Sequence, residues 1–349
     1  MPLIVSVASA APGHRVDQAT IRREFAPLVA GVPHVERLLP VFDRSGVEAR
    51  RLIHPPGWYL EPRSWDERNR EYQARALELA EQAARASLDQ AGVSAARIDH
   101  VYFVSTTGLA TPSLDALLAG RLGMRPDVRR SPLFGLGCAA GAGALSRAAD
   151  VLTARPRERA LVVSVEICSL VFSTDAKTQT DLIGVALFGD GAAAAVLAGD
   201  DAGHEGIGIV ATETRLFADA KHLMGWDFTG DGMRLVLARD IPDVVRDRIA
   251  PVVSEFTARH GLSVADFDHH VLHPGGPKVM ATYRSSFGLS EDALHIARTC
   301  MREHGNLSSA AVLVMLSNLV ASGRPASGDR GLMLALGPGF GAEMLILKW

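Results

Sequence analysis

One cysteine in this sequence stands where it could act as a nucleophile. Cys138 follows an apolar run and the turn Gly135-Leu136-Gly137, and a run of small residues with helical character comes directly after it. The first turn of a helix carries partial positive charge and free N–H groups, so we expect a thiolate there to be stabilised and the pKa of Cys138 to be lowered. The alternative is a buried, inert thiol, which is the common state of free cysteines.

A histidine and an asparagine could complete such a site. His273 follows the apolar run FDHHVL, and Asn306 opens a second small-residue helix. A cysteine–histidine pair gives a thiolate–imidazolium nucleophile that suits acyl transfer from another thioester. A neutral amide cannot act as a base, but it can donate hydrogen bonds to an oxyanion or enolate. A structural histidine and an N-cap asparagine are the alternative interpretations.

The two halves of the chain resemble each other. Asp99 and Asp268 begin similar apolar runs 169 residues apart, while Cys138 and Asn306 lie 168 residues apart, each after a glycine and before a small-residue helix. This self-similarity predicts a duplicated α/β unit in which the helices of Cys138 and Asn306 are equivalent. Ligands of α/β sheets bind beyond the carboxyl ends of strands, so we expect Cys138, His273 and Asn306 to meet in one cleft.

The remaining patterns predict alternating strands and helices, with largely parallel sheets covered by helices. A capping box at Ser64–Glu67 predicts a long helix that ends at Gly92. Further predictions are helices over 19–28 and 35–42, loops over 55–62 and 173–181, and hairpins over 185–198 and 334–347.

Composition excludes several classes of protein. The formal net charge of −3, without runs of like charge, argues against binding to nucleic acid or to a membrane surface. No stretch approaches the 18 apolar residues of a transmembrane helix. Three cysteines (Cys138, Cys168 and Cys300) lie far apart in the sequence, which favours a reducing, cytoplasmic location over a disulfide framework or a zinc site.

A cluster of basic residues near the N-terminus has two interpretations. Arg44, Arg50 and Arg51 lie within eight positions of one another. Such a cluster could hold the phosphate groups of a ligand, or it could form a solvated face, as charged clusters usually do.

Four short motifs carry a family resemblance. They are LGCAAG around Cys138, HPGGP from His273, GNLSSA around Asn306, and LGPG at 336–339. Together they resemble the type III polyketide synthases, the chalcone-synthase-like branch of the thiolase fold. The resemblance implies a duplicated, five-layered αβαβα core and a homodimer. It places the nucleophile in an N-terminal half, 1–205, and the histidine and asparagine in a C-terminal half, 206–349.

The resemblance also implies a reaction. An acyl group is loaded from coenzyme A onto Cys138, malonyl-CoA is decarboxylated with His273 and Asn306 stabilising the enolate, and the enolate attacks the Cys138 thioester. The substrates are the acyl-CoA starter and malonyl-CoA, and no metal, nicotinamide or acyl carrier protein is required. Repeated extension and cyclisation follow.

Nine further positions match substrate-binding positions of the family. Phe188 matches a gatekeeping phenylalanine, Leu235 a second gate position, and Thr111 a loop residue that crosses the dimer interface. Trp226 matches the tryptophan of a GWD segment. The other five match cavity residues or contacts of coenzyme A phosphates: Cys168, Gly184, Ser308, Arg37 and Arg44. The segment Met224–Asp227 looks like that of bacterial synthases of alkylpyrones or alkylresorcinols. We therefore expect a fatty acyl starter and a pyrone or resorcinol-type product.

Two rival interpretations remain. A 3-ketoacyl synthase that initiates fatty-acid synthesis shares the same three residue types, but such enzymes tend to carry His-Gln-Ala-Asn where this chain reads His-Pro-Gly-Gly from His273. Use of free malonyl-CoA, rather than malonyl on a carrier protein, would separate the two. A non-catalytic acyl-binding protein with the same fold is the other rival, and the intact Cys138, His273 and Asn306 argue against it.

Overall fold

The computed structural model describes residues 1–172 and 176–349. Its helices have these bounds: α1 (Gln18–Glu24), α2 (Ala26–Val29), α3 (Val35–Leu38), α4 (Pro40–Arg44), α5 (Pro56–Leu60), α6 (Trp65–Ala91), α7 (Leu114–Leu122), α8 (Ala140–Ala154), α9 (Gln179–Leu187), α10 (Ile241–Val244), α11 (Ala250–Arg259), α12 (Pro277–Phe287), α13 (His295–His304) and α14 (Ala311–Ala321).

The strands have these bounds: β1 (Leu3–Ala10), β2 (His14–Asp17), β3 (Ala49–Leu52), β4 (His100–Val104), β5 (Arg129–Leu133), β6 (Arg159–Ile167), β7 (Asp190–Ala198), β8 (Ile207–Leu216), β9 (Met224–Thr229), β10 (Gly232–Leu237), β11 (His269–Leu272), β12 (Arg330–Gly337) and β13 (Gly341–Lys348). Nine of them form one mixed sheet in the order β11-β12-β13-β8-β1-β7-β6-β4-β5, while β9 with β10 and β2 with β3 form separate pairs.

The strand order repeats within the large sheet. In the N-terminal part, β1 and β7 are antiparallel, β7 and β6 are antiparallel, and β6 and β4 are parallel. In the C-terminal part, β8 and β13, β13 and β12, and β12 and β11 follow the same three orientations. The sheet is therefore duplicated, and its two parts join through only a short antiparallel pairing of β1 with β8.

Two helices fill the space between the two parts of the sheet. Helix α8 packs against β4 and β6 and also against β12 and β13, and α14 packs against β1, β7 and α8. Small residues allow this close approach, since a Cβ added at Gly141 would lie 2.2 Å from the Ser309 carbonyl oxygen. Helix α6 covers β1, β6 and β7, and the apolar core of the C-terminal part includes residues of α11 and α12. The arrangement gives alternating helical and sheet layers.

The long helix α6 has the predicted ends. The Ser64 hydroxyl accepts from the Glu67 N–H, the Glu67 carboxylate accepts from the Ser64 N–H, and Gly92 closes the helix with φ of 62°. In the described residues, no helix has both the length and the apolar character needed to cross a membrane.

Four local predictions were wrong. The hairpin over 185–198 is instead the end of α9 followed by β7. The loop over 55–62 contains α5, and the helices over 19–28 and 35–42 are each two short helices, broken before Ala26 and before Pro40. Of the loop over 173–181, residues 173–175 lie outside the described residues, and Gln179 already begins α9.

Candidate active site

The three predicted catalytic side chains line one cavity of about 490 Å³. Cys138 lies in a 3₁₀ turn just before α8, His273 follows β11, and Asn306 lies just after α13. All three are buried, with exposures of 7%, 3% and 3%. The duplicated fold thus brings the equivalent positions Cys138 and Asn306 to one place, together with the end of β11.

The turn that carries Cys138 packs directly on the LGPG loop. Gly137 has φ of 48°, and a Cβ added there would lie 2.4 Å from the Pro338 ring. A Cβ added at Gly337 would lie 2.1 Å from the Leu136 carbonyl oxygen. Both glycines are required by this close approach, so the C-terminal motif forms the support of the cysteine turn.

Asn306 and His273 present hydrogen-bond donors to this cavity. The Asn306 Oδ1 accepts from the Ser308 N–H at 2.8 Å, which leaves the Nδ2 hydrogens as the donors of that amide. The imidazole interacts with the Asn306 side chain and the Ser308 backbone. Within the described part of the chain, His273 Nε2 is buried and has no hydrogen-bond partner. A buried ring nitrogen without a partner, next to the Asn306 amide, suits an oxyanion or enolate.

The protonation of the cysteine differs from the expected one. Burial raises the pKa of the Cys138 thiol to about 12, although its contact with the Ser308 hydroxyl, 3.5 Å from Sγ, lowers that pKa in part. Burial also lowers the pKa of His273 to about 4. For Cys138 this direction is opposite to the predicted one, because desolvation of the buried sulfur disfavours the thiolate. Burial therefore disfavours the charged forms of both groups, the thiolate and the imidazolium.

Arg50 binds the backbone of the segment that pairs with Asn306. Its side chain is completely buried, and its Nη1 donates to the carbonyls of Val185 and Phe188, both at 2.7 Å. Phe188 pairs with Asn306 through a β-bridge. Both interpretations of the basic cluster were wrong for this residue, which neither faces solvent nor is available to a phosphate. It instead fixes the end of α9 next to Asn306.

A buried carboxylate that the sequence analysis missed lies beneath the site. Glu166 accepts from the Thr106 N–H at 3.0 Å, from both the Thr106 and Thr107 hydroxyls at 2.9 Å, and from the Ser309 hydroxyl. Burial raises the pKa of Glu166. Thr106 lines the cavity, so this network orders its wall. The lone glutamate within the apolar run ALVVSVEI was the available signal, because buried acids need several partners.

A second cavity, of about 410 Å³, adjoins the first, and three residues line both cavities. Phe188, Trp226 and Leu235 line both cavities, while the predicted residues Cys168 and Gly184 line only the second. Ser308 lines the first cavity. The sequence analysis missed five residues of the second cavity, which are Val171, Phe172, Asp181, Met233 and Arg234.

The other three predicted positions lie away from these cavities. Arg37 lines a separate surface basin of about 770 Å³ together with His34, Lys177 and Arg239. Arg44 and Thr111 are exposed, and neither lines any of the three cavities. Arg44 lies at the end of α4, outside the lining of that basin, and its match to a contact of coenzyme A phosphates stays a prediction.

Comparisons with known proteins define the family. The family described as "Chalcone and stilbene synthases, N-terminal domain" matches residues 59–201, and its C-terminal counterpart matches 209–349. The chain is 41% identical to 1,3,6,8-tetrahydroxynaphthalene synthase of Streptomyces peucetius subsp. caesius, over 99% of this chain and 93% of that protein. It is 29% identical to phloroglucinol synthase of Pseudomonas fluorescens, over 97% and 96% of the two chains.

The structural comparison agrees with these matches. The crystal structure of 1,3,6,8-tetrahydroxynaphthalene synthase from Streptomyces coelicolor, a bacterial type III polyketide synthase, superposes with a TM-score of 0.95 at 30% identity, over 99% of both chains. The chain belongs to the chalcone and stilbene synthase family and has its thiolase-like fold. It is a type III polyketide synthase, and the 3-ketoacyl synthase interpretation is not favoured.

Proposed function

We propose that this enzyme loads a fatty acyl group from coenzyme A onto Cys138, extends it with malonyl-CoA, and cyclises the product to a pyrone or a resorcinol. The observation that most supports this proposal is that Cys138, His273 and Asn306 line the same cavity. The proposed reaction needs no metal or redox cofactor, because the thioesters and the released CO₂ supply its driving force.

Loading begins from a neutral site. The Cys138 sulfur attacks the thioester carbonyl of the acyl-CoA, and its proton moves to His273 Nε2 during the attack, since burial disfavours a free thiolate. Collapse of the tetrahedral intermediate breaks the bond to coenzyme A. The coenzyme A thiolate departs and takes a proton from water, so the acyl group is on Cys138 and the imidazole keeps the proton on Nε2.

Condensation uses the two hydrogen-bond donors. The malonyl carboxylate leaves as CO₂, and its bonding electrons form an enolate whose oxygen accepts hydrogen bonds from Asn306 Nδ2 and from His273 with its proton on Nε2. The enolate carbon attacks the carbonyl of the Cys138 thioester and expels the cysteine sulfur, which takes the proton back from His273 Nε2. The product is a 3-ketoacyl-CoA, two carbons longer, that can load again.

The second cavity supports an apolar starter. Val171, Phe172 and Met233 give it apolar walls, and it adjoins the catalytic cavity through Phe188, Trp226 and Leu235. Relatives are named for tetrahydroxynaphthalene and phloroglucinol, products without an alkyl chain. A starter without an alkyl chain is therefore the main alternative, and Arg234 and Asp181 at the same cavity favour a polar group there.

A starter panel tests this proposal. We expect the purified enzyme with malonyl-CoA to prefer acyl-CoA starters of medium or long chain over acetyl-CoA and malonyl-CoA. Leu235→Phe should shift the preference toward shorter starters by about tenfold in kcat/KM, because Leu235 lines both cavities. Mass spectrometry of the products measures both the starter preference of the parent enzyme and its shift in Leu235→Phe. A preference for malonyl-CoA as starter, or a profile that Leu235→Phe leaves unchanged, contradicts the proposal.

The proposal includes a homodimer in the cytoplasm. Strand β5 pairs with β4 only, at the edge of the large sheet, and the exposed apolar residues Leu109, Leu117 and Phe134 lie in neighbouring segments. Such an edge is an association surface, and a partner there would cover the exposed Thr111. Analytical ultracentrifugation should give the mass of two chains, and a single-chain mass would contradict this part. Three unpaired cysteines support a reducing compartment.

Coenzyme A itself would bind at the surface basin. Arg37 and Arg239 line it, and their guanidinium groups suit phosphate oxygens. Arg37 is the proposed phosphate contact at this basin, and Arg44 lies outside its lining.

A further inference from the structure

The pair of strands β9 and β10 forms a hairpin that is separate from the large sheet. Trp226 and Leu235 stand opposite each other in its register, and both line the two cavities. Val171 and Phe172, a few residues after β6, line the second cavity together with the hairpin. The distance between the hairpin and this segment therefore sets the width available to an acyl chain.

One arginine joins these two walls. Arg68, in the first turns of α6, donates from Nη1 to the Phe172 carbonyl at 3.0 Å and, at the longer distance of 3.5 Å, to the Leu170 carbonyl. Its Nη2 donates to the Asp231 carbonyl at the tip of the hairpin, at 2.8 Å. The planar fork of a guanidinium can hold acceptors from two segments at once, which a lysine ammonium does less well.

The hairpin tip is also shaped to fit α6. Gly232 has φ of 118°, and a Cβ added there would lie 2.7 Å from the Trp65 ring and 3.5 Å from Arg68 Nη2. A side chain at this position would thus be strained and would displace the tip from the helix. This contact is independent of the Arg68 hydrogen bonds, and it fixes the same element.

We propose that Arg68 is a positioning residue for substrate specificity: by tying the hairpin tip to the 170–172 segment, it limits the chain length of the starter that the second cavity accepts. This inference rests on the proposed function. It assigns Arg68 no part in the chemistry, since Arg68 lines neither cavity.

The test compares Arg68→Met with a matched control, Arg70→Met, on the same turn of α6. Arg70 is exposed and forms an ion pair with Asp66, one turn earlier. For Arg68→Met we expect the ratio of kcat/KM for a twelve-carbon acyl-CoA to that for a four-carbon acyl-CoA to rise by about fivefold or more, while malonyl-CoA decarboxylation stays within about twofold of the parent. Arg70→Met should leave both quantities unchanged, and Arg68→Lys should fall between the parent and Arg68→Met.

Two further results make the test decisive. Gly232→Ala should change the ratio in the same direction, so the inference stays testable if Arg68→Met does not fold. A parent-like ratio in Arg68→Met or Gly232→Ala, with intact decarboxylation, overturns the role of Arg68. A parent enzyme that neither loads acyl-CoA nor decarboxylates malonyl-CoA would instead overturn the proposed function.

Discussion

Replacing Cys138 with alanine is expected to abolish covalent loading and to reduce polyketide formation by about a thousandfold or more, because Cys138 is the thiol that lines the cavity of His273 and Asn306. The fold should persist, since the side chain is small and its contact with the Ser308 hydroxyl is long, at 3.5 Å. Intact-protein mass spectrometry after incubation with an acyl-CoA starter measures the loading. Product assays with malonyl-CoA measure the condensation.

The other two cysteines supply matched controls. Cys168 lines the second cavity, and Cys300 is buried in the core away from both cavities. Cys168→Ala and Cys300→Ala should both retain loading at Cys138. Product formation by Cys138→Ala at a rate near that of the parent would contradict the assigned nucleophile.

Replacing Asn306 with alanine is expected to slow malonyl-CoA decarboxylation by about a hundredfold or more, because the enolate loses a donor in a buried site. Acyl loading of Cys138 should survive, since that step does not require an enolate. Release of CO₂ from malonyl-CoA measures the first effect. The acyl mass on the protein measures the second.

The aspartate variant separates catalysis from helix capping. In Asn306→Asp, a carboxylate oxygen can still accept from the Ser308 N–H, as Asn306 Oδ1 does at 2.8 Å. It cannot donate to an enolate, and its charge repels one. We therefore expect decarboxylation as slow as in the alanine variant, together with a lower thermal unfolding midpoint than the parent, because a buried carboxylate with few partners costs stability. Decarboxylation at the parent rate would show that Asn306 only caps the helix.

The duplicated fold could be predicted because its signals are local and occur twice. Similar apolar runs begin at Asp99 and Asp268, and glycine–polar pairs open helices at Cys138 and Asn306. The strands of both runs, β4 and β11, do occupy equivalent places in the sheet. The prediction of a hairpin over 185–198 was wrong because its signal is ambiguous. A short apolar run such as 185–187 suits a helix end and a strand equally well.

The contacts that position the site could not be predicted from local patterns. Arg50, Arg68 and Glu166 act on backbone or hydroxyl groups far away in the sequence, for example from Arg68 to Asp231. The predicted direction of the Cys138 pKa shift differs from that in the structure for a similar reason, because the sequence shows the helix terminus but not the burial of the sulfur. Long-range desolvation and hydrogen bonding require the folded chain.

The most direct measurement follows one acyl group through the site by mass spectrometry. The account predicts that incubation with a starter acyl-CoA adds the acyl mass to the peptide containing Cys138, and that later addition of malonyl-CoA removes this mass while CO₂ and an extended product appear. An acyl group on a different peptide, or extended product formed without any acyl group on Cys138, would contradict the account.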